Sequence, residues 1–272
     1  MLHVMEPQWR RNPPHAGAGL PSSPDADPLP DPRRPRDGPG DPGGFGGVVP
    51  QSRNVITTAD GVRLEIVWTE PATPAVGCVV LCHPHPLDGG TMHAPLVRTV
   101  AKTMADAGLR VLRFNFRGVG ESQGTWGGGL GEVTDVAAAT EAAAATHPDL
   151  PLGVAGWSFG ATISLLWQAE SGSTLPWVGI APGIRPYRGA PLPVVSDLAP
   201  APRLIVHGDR DQFATATEMT EYAASFGARI ELIPGSDHFF LYRERRVGAL
   251  LARHFGGTPI EDDPPAQPAA GR

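Results

Sequence analysis

Between about residue 53 and residue 255 the apolar residues of this chain follow two rhythms, and outside those limits they thin out. Short continuous runs, AVGCVVLCH (75–83), LRVLRFNF (109–116), PLGVAGW (151–157), LPWVGIA (175–181) and RLIVHGD (203–209), read as strands buried on both faces, as in a parallel sheet. Stretches with helical spacing lie between them. In APLVRTVAKTMADAG (94–108) Leu96, Val100 and Met104 recur every four residues, and GEVTDVAAATEAAAATH (131–147) is rich in alanine. A helix from Ser158 aligns Phe159, Ile163, Leu166 and Trp167 on one face. A helix around ATEMTEYAASFG (216–227), a strand ARIELI (228–233) and a last helix LYRERRVGALLARHF (241–255) follow. Near the start, RNVITTAD and VRLEIVWTE flank Asp60-Gly61, a dipeptide suited to a hairpin turn, so these two strands are expected to be antiparallel. The pattern predicts an α/β fold: about eight strands in a mostly parallel, doubly wound sheet, with ligands bound at the carboxyl ends of the strands.

Composition limits how far that domain extends. Residues 1–50 hold 12 prolines and 8 glycines with few aliphatic residues, so they are expected to form a disordered arm, and residues 256–272 a disordered tail. That leaves one domain at 51–255. The 272 residues are 41% hydrophobic, enough for a single sizeable core. The formal net charge of −6, with no basic stripe, argues against a nucleic-acid partner. No apolar run is long enough to span a bilayer and the first residues lack a signal-peptide core, so the expectation is a cytoplasmic protein with no membrane partner. Cys78 and Cys82, four apart on one predicted strand, would lie roughly 13 Å from each other and cannot bond, so they read as buried free thiols.

Candidate chemistry gathers at three strand ends. In GVAGWSFGATISLLW (153–167) Ser158 stands between Gly156 and Gly160 where a strand turns sharply into a helix, a place that exposes a hydroxyl and aims a helix N-terminus at it. A serine acting only as a helix cap needs no glycine on either side. A serine hydroxyl becomes nucleophilic when a base takes its proton and an acid orients that base. LIVHGDRDQF (204–213) ends one strand with Asp209 and Asp211, and LIPGSDHFF (232–240) ends the next with Asp237 and His238. Asp211, at Gly-x-x-Asp spacing from Gly208, is the candidate acid; Asp209 is assigned to the turn and Asp237 to capping the final helix.

The motifs CHPHPLDGG, RFNFRGVGESQG, GWSFGA, HGDRDQ and GSDHFF together resemble the α/β-hydrolase superfamily, in particular small capless bacterial serine hydrolases related to dienelactone hydrolase, over about residues 53–255. The resemblance implies nucleophile, acid and base roles for Ser158, Asp211 and His238, acting on a carboxylic ester or similar acyl bond of a small molecule with no cofactor. It departs from the pattern at Asn115, where most relatives carry Asp. Two backbone N–H groups must hold the oxyanion. Phe159 follows the nucleophile and supplies one; on the loop after Cys82 the prolines at 84 and 86 have no N–H, leaving His85 or Leu87, and His85 matches the usual position. RGVGESQG (117–124) is expected to shape the site, and Leu87, Trp126, Phe213 and Phe239 are candidates for the substrate pocket. Too few residues separate the last two parallel strands before the acid for a helical lid, so an open cleft taking acyl groups of about two to six carbons is expected. Two other readings remain: His83, His85 and Asp88 as ligands of a metal-dependent hydrolase, and a non-catalytic binding or scaffold protein on the same fold. The sequence leaves the oligomeric state open.

Overall fold

The Asp60–Gly61 turn joins β1 (Asn54–Thr57) to β2 (Arg63–Thr69), which pair antiparallel with Val55 opposite Glu65. Thr58 closes the turn by donating its N–H to the Val62 carbonyl oxygen and its hydroxyl to Asp60. In this computed structural model, which describes residues 54–258, the chain continues through β3 (Gly77–Cys82), α1 (Pro95–Asp106), β4 (Leu109–Phe114), α2 (Leu130–Thr146), β5 (Leu152–Trp157), α3 (Phe159–Ser171), β6 (Trp177–Ile180), β7 (Arg203–Gly208), α4 (Ala216–Ser225), β8 (Arg229–Ile233) and α5 (Glu244–His254). The eight strands form one sheet in the order β1-β2-β4-β3-β5-β6-β7-β8, antiparallel across β1, β2 and β4 and parallel from β4 to β8. The arm and tail expected at 1–50 and 256–272 lie outside the described residues, apart from Gly256–Thr258.

Alternation along each strand divides the core in two. Val80, Cys82, Leu112 and Phe114 face one side, where α2, α3 and α4 cover them with Val136, Ile163, Trp167 and Met219. Val79, Leu81, Leu109 and Val111 face the other, against Leu96, Val100 and Met104 of α1 and Val247 and Leu251 of α5. Every residue of β3 and of β7 is buried, which is why these strands read as continuous apolar runs. Truncating one of these fully buried aliphatic side chains to alanine removes about 2–5 kcal/mol of stability. Both cysteines are free and buried, and burial pushes the Cys78 thiol up to about 12. Among the described residues no helix is long and apolar enough to cross a membrane.

Two stretches differ from the sequence expectation, and a third agrees with it. The last helix begins at Glu244 rather than Leu241, because Phe240 and Tyr242 take left-handed backbone angles (φ 54° and 62°) that a right-handed helix cannot contain. Asp237 consequently caps no helix; its carboxylate accepts the N–H groups of Phe239 and Phe240 in the preceding turn. The 117–124 loop, expected to shape the site, is tied instead to α2 and to the hairpin turn. Arg117 pairs with buried Asp135 of α2 and with Asp60 of the hairpin turn, each at 2.8 Å, and the Ser122 hydroxyl donates to the Asn115 carbonyl oxygen. Between β6 and β7, residues 181–202 carry a single 3-10 turn (Val195–Asp197) and no helix, so no lid domain covers the sheet.

Candidate functional site

Ser158 sits between the last residue of β5 and the first of α3 with φ 53° and ψ −114°, a backbone conformation that L-residues avoid and that costs of order 1–3 kcal/mol. Its own N–H is held by the Ile180 carbonyl oxygen at 2.8 Å, its carbonyl oxygen accepts the Thr162 N–H at 3.0 Å, and its side chain caps nothing. The flanking glycines are needed for space. A Cβ on Gly156 would overlap the Gly160 backbone, and one on Gly160 would overlap the carbonyl oxygens of Cys82 and His83, so the turn closes only because both side chains are missing.

Asp211 and His238 come together from the loops after β7 and β8. His238 Nδ1 lies 2.7 Å from Asp211 Oδ2, while Asp211 Oδ1 accepts the N–H groups of Phe213 (2.7 Å) and Ala214 (3.3 Å). Burial pushes the Asp211 carboxyl up, but the His238 hydrogen bond and charge with the Phe213 N–H outweigh it and hold it below the usual carboxylate range. The carboxylate is therefore ionised and orients the imidazole. Trp157 Nε1 donates to the His238 carbonyl oxygen at 3.2 Å, holding its backbone, and the Phe213 ring stands edge-on 4.6 Å from the imidazole. Asp209 accepts the Gly235 N–H at 2.7 Å and so ties the two loops as a turn residue. The Ser158 hydroxyl makes no hydrogen bond among the described residues, and it shares a cavity wall with His238.

His83 and His85 follow β3 and do different things. His83 is fully buried, with Nδ1 2.6 Å from the Pro84 carbonyl oxygen and Nε2 accepting the Phe116 N–H at 3.0 Å. Burial drives its pKa down to about 3, and neutral imidazole is what these two partners require. His85 Nδ1 accepts the Leu87 N–H at 3.1 Å, and its ring packs among Trp126, Phe159 and Tyr187. Leu87 thus has its N–H engaged, whereas the N–H groups of His85 and Phe159 have no protein partner among the described residues. With both His83 ring nitrogens committed, the HxHxxD stretch does not converge as a ligand set, and no group of three or more His, Cys, Asp or Glu among the described residues is placed to hold a metal ion.

Ser158 and His238 open on a mostly apolar cavity of about 610 Å³. Of the pocket candidates, Phe213 and Phe239 line it. Leu87 does not, being carried outward by the 3-10 turn at Pro86–Asp88, and Trp126 lies behind His85, its ring centroid 4.9 Å from the imidazole. The sequence reading missed Ile184, Tyr187 and Leu192, which the 181–202 segment hangs over the cavity, and the Arg188–Asp88 ion pair (2.7 Å) that ties this segment to the β3 loop. It also missed His207, buried beside Asp211, although the residue stands in plain view before Gly208.

Comparison with known proteins bears on this arrangement. A family model described as serine aminopeptidase, S33, matches residues 73–201. An uncharacterized protein of Rickettsia prowazekii is 30% identical over 189 residues, 66% of this chain and 79% of the relative. The structure of an α/β serine hydrolase homologue from Coxiella burnetii superposes with a TM-score of 0.66 at 31% identity, covering 76% of this chain and 99% of that one. A Xanthomonas campestris α/β serine hydrolase without a lid gives a TM-score of 0.66 at 26% identity, over 76% of this chain and 94% of that one.

Proposed function

The chain belongs to the α/β-hydrolase superfamily, and we propose that within it the protein is a serine hydrolase cleaving a carboxylic ester or related acyl bond of a small molecule. One observation carries the reading: the 2.7 Å His238–Asp211 hydrogen bond on the same cavity as a serine strained at the turn between β5 and α3. Ser158 Oγ attacks the acyl carbon while His238 Nε2 takes its proton, and Asp211 stabilises the imidazolium. The N–H groups of Phe159 and His85 receive the oxyanion, collapse releases the alcohol with the proton from His238, and a water repeats the sequence on the acyl-enzyme. None of these steps calls for a cofactor. An ester suits the cavity better than an aminopeptidase substrate. Recognition of a free α-amine needs an unspent carboxylate, whereas the two that line the cavity, Asp88 and Asp211, are taken by Arg188 and His238.

Ser158→Ala and His238→Ala should each lower kcat for p-nitrophenyl ester hydrolysis by at least about a thousandfold, with the double variant little worse, because residues acting as one unit are not additive. A fluorophosphonate probe should label the wild type at Ser158 alone. A folded Ser158→Ala protein that keeps its activity, or a wild type that neither hydrolyses esters nor takes the probe, overturns the reading, the latter in favour of a binding protein on this fold.

A further inference from the structure

Phe213 and Phe239 line the cavity on either loop beside His238, yet they are 60% and 52% exposed. Neither is loose at the backbone. Phe213 donates its N–H to Asp211 Oδ1 at 2.7 Å and its carbonyl oxygen accepts from Arg185 at 2.9 Å, while Phe239 donates its N–H to Asp237 Oδ1 at 2.9 Å. The loops after β7 and β8 thus each hold one phenylalanine next to the imidazole and leave it open. The Phe213 ring centroid stands 4.6 Å from that of His238 at an interplanar angle of 73°, and the Phe239 centroid 5.7 Å from it at 85°. Trp157 stands edge-on to Phe239 at 6.2 Å.

The direction of proton transfer decides which half of an ester meets these rings. In acylation Ser158 Oγ bonds to the acyl carbon, the bond from that carbon to the alcohol oxygen breaks, and His238 hands that oxygen the proton taken from the serine. With Nδ1 held by Asp211, the proton passes through Nε2, so the leaving oxygen must come within about 3 Å of it. The alcohol half therefore starts beside Phe213 and Phe239. The Asp and Arg side chains that line the cavity, Asp88, Arg185 and Asp211, are engaged with Arg188, Glu218 and His238, so none is free to select a charged alcohol. An aromatic ring meets two others here, and such pairs, with centroids 4.5–7 Å apart, gain more than their buried area alone supplies. We propose that Phe213 and Phe239 form the subsite for the leaving alcohol and that the substrate is an ester of an aromatic alcohol, a phenol or an arylmethanol, with the acyl half left to the wall built by the 181–202 segment. The inference rests on the serine hydrolase reading given above.

The test holds the acyl group constant and varies the alcohol, in ethyl, cyclohexylmethyl and benzyl butyrate, whose leaving groups are similarly basic. Each kcat/KM is divided by the rate of hydroxide-catalysed hydrolysis of the same ester. In the wild type the benzyl ester should exceed the ethyl ester at least about tenfold, and the cyclohexylmethyl ester, which has the bulk of the ring without its π face, at least about threefold. In folded Phe213→Ala and in folded Phe239→Ala the benzyl-to-ethyl ratio should fall at least about threefold. A substitution that merely disturbs His238 slows all three esters alike and leaves their ratios where they were. Benzyl alcohol should also capture the butyryl-enzyme in competition with water more readily than ethanol does, because deacylation by an alcohol retraces acylation. This last measurement and the wild-type ratios need no variant, so they decide alone if the alanine variants fail to fold. A wild type that falls short of either ratio, an unchanged ratio in either folded variant, or equal capture by the two alcohols would each overturn the proposal. An enzyme labelled at Ser158 by a fluorophosphonate but indifferent to the alcohol overturns this inference alone, whereas a protein that takes no label and cleaves none of the three esters overturns the serine hydrolase reading with it.

Discussion

His85 holds its place through the ring, and in the proposed mechanism it acts through its backbone N–H, so the two contributions can be tested separately. In His85→Ala the Leu87 N–H loses its acceptor and three aromatic rings lose a neighbour, so stability should drop while kcat falls less than about tenfold, since the backbone N–H survives. His85→Pro loses the same ring contacts and, at a φ of −56° that already suits a proline ring, the backbone N–H as well, so kcat should fall about a hundredfold to a thousandfold, well beyond the loss in His85→Ala, with circular dichroism like that of His85→Ala. Steady-state kinetics on both variants separates this from metal chemistry, in which the alanine variant would lose as much as the proline one and EDTA would inhibit the wild type. Asn115, which departs from the pattern the resemblance implies, has a physical reason for its amide. Its amide nitrogen donates to buried Glu65 at 2.9 Å while its oxygen accepts the Met92 N–H. Asn115→Asp would set two buried carboxylates side by side, and both cannot ionise. One folded-state pKa would rise above its unfolded value, so the variant should be destabilised by about 3–5 kcal/mol at neutral pH and recover toward wild type as pH falls through that raised value. Denaturant melts at several pH values check this, and adding Glu65→Gln should abolish the pH dependence.

The strands and helices were legible because their burial is periodic or continuous, and the segments that escaped are the ones without a period. Each buried run became a strand, and α1 and α3 bury the faces that spacing assigned. The start of α5 was misread because the apolar Phe239–Tyr242 stretch looks helical, while nothing in residue type foretells left-handed angles at Phe240 and Tyr242. Ser158, Asp211 and His238 could be picked out because each stands next to glycine signals at a strand end; Tyr187 and Ile184 could not, since the 181–202 segment is shaped by its contacts with the β3 loop. That segment also alters the expected substrate. A cavity of about 610 Å³ falls within the range that encloses drug-sized ligands, so acyl groups near six carbons should be preferred over acetyl. Each added methylene is worth about 0.8 kcal/mol of burial, roughly fourfold in kcat/KM, until the wall is reached. A p-nitrophenyl ester series measures it; an optimum at acetate, or activation at a lipid interface, would count against the cavity as the acyl site.

The assembled sheet gathers groups that lie far apart in sequence, and they do not share the same support. Ser158 and the N–H groups expected to face the oxyanion hang from β3 and β5, neighbours deep in the sheet with strands on both sides. His238 follows β8, the outermost strand, which pairs only with β7 and leaves Leu232 partly in water. Local opening is easiest at such a margin and needs less free energy than global unfolding. Ser158 and His238, the proposed nucleophile and base, should therefore part company before the fold is lost. On gentle warming the protein should fall silent while its circular dichroism still reads native and while α1 and α5 keep their amide protons from exchange, then recover on cooling. An edge strand that anchors the proton acceptor would make this molecule's working temperature lower than its melting temperature, by a margin that stabilising β8 alone would erase.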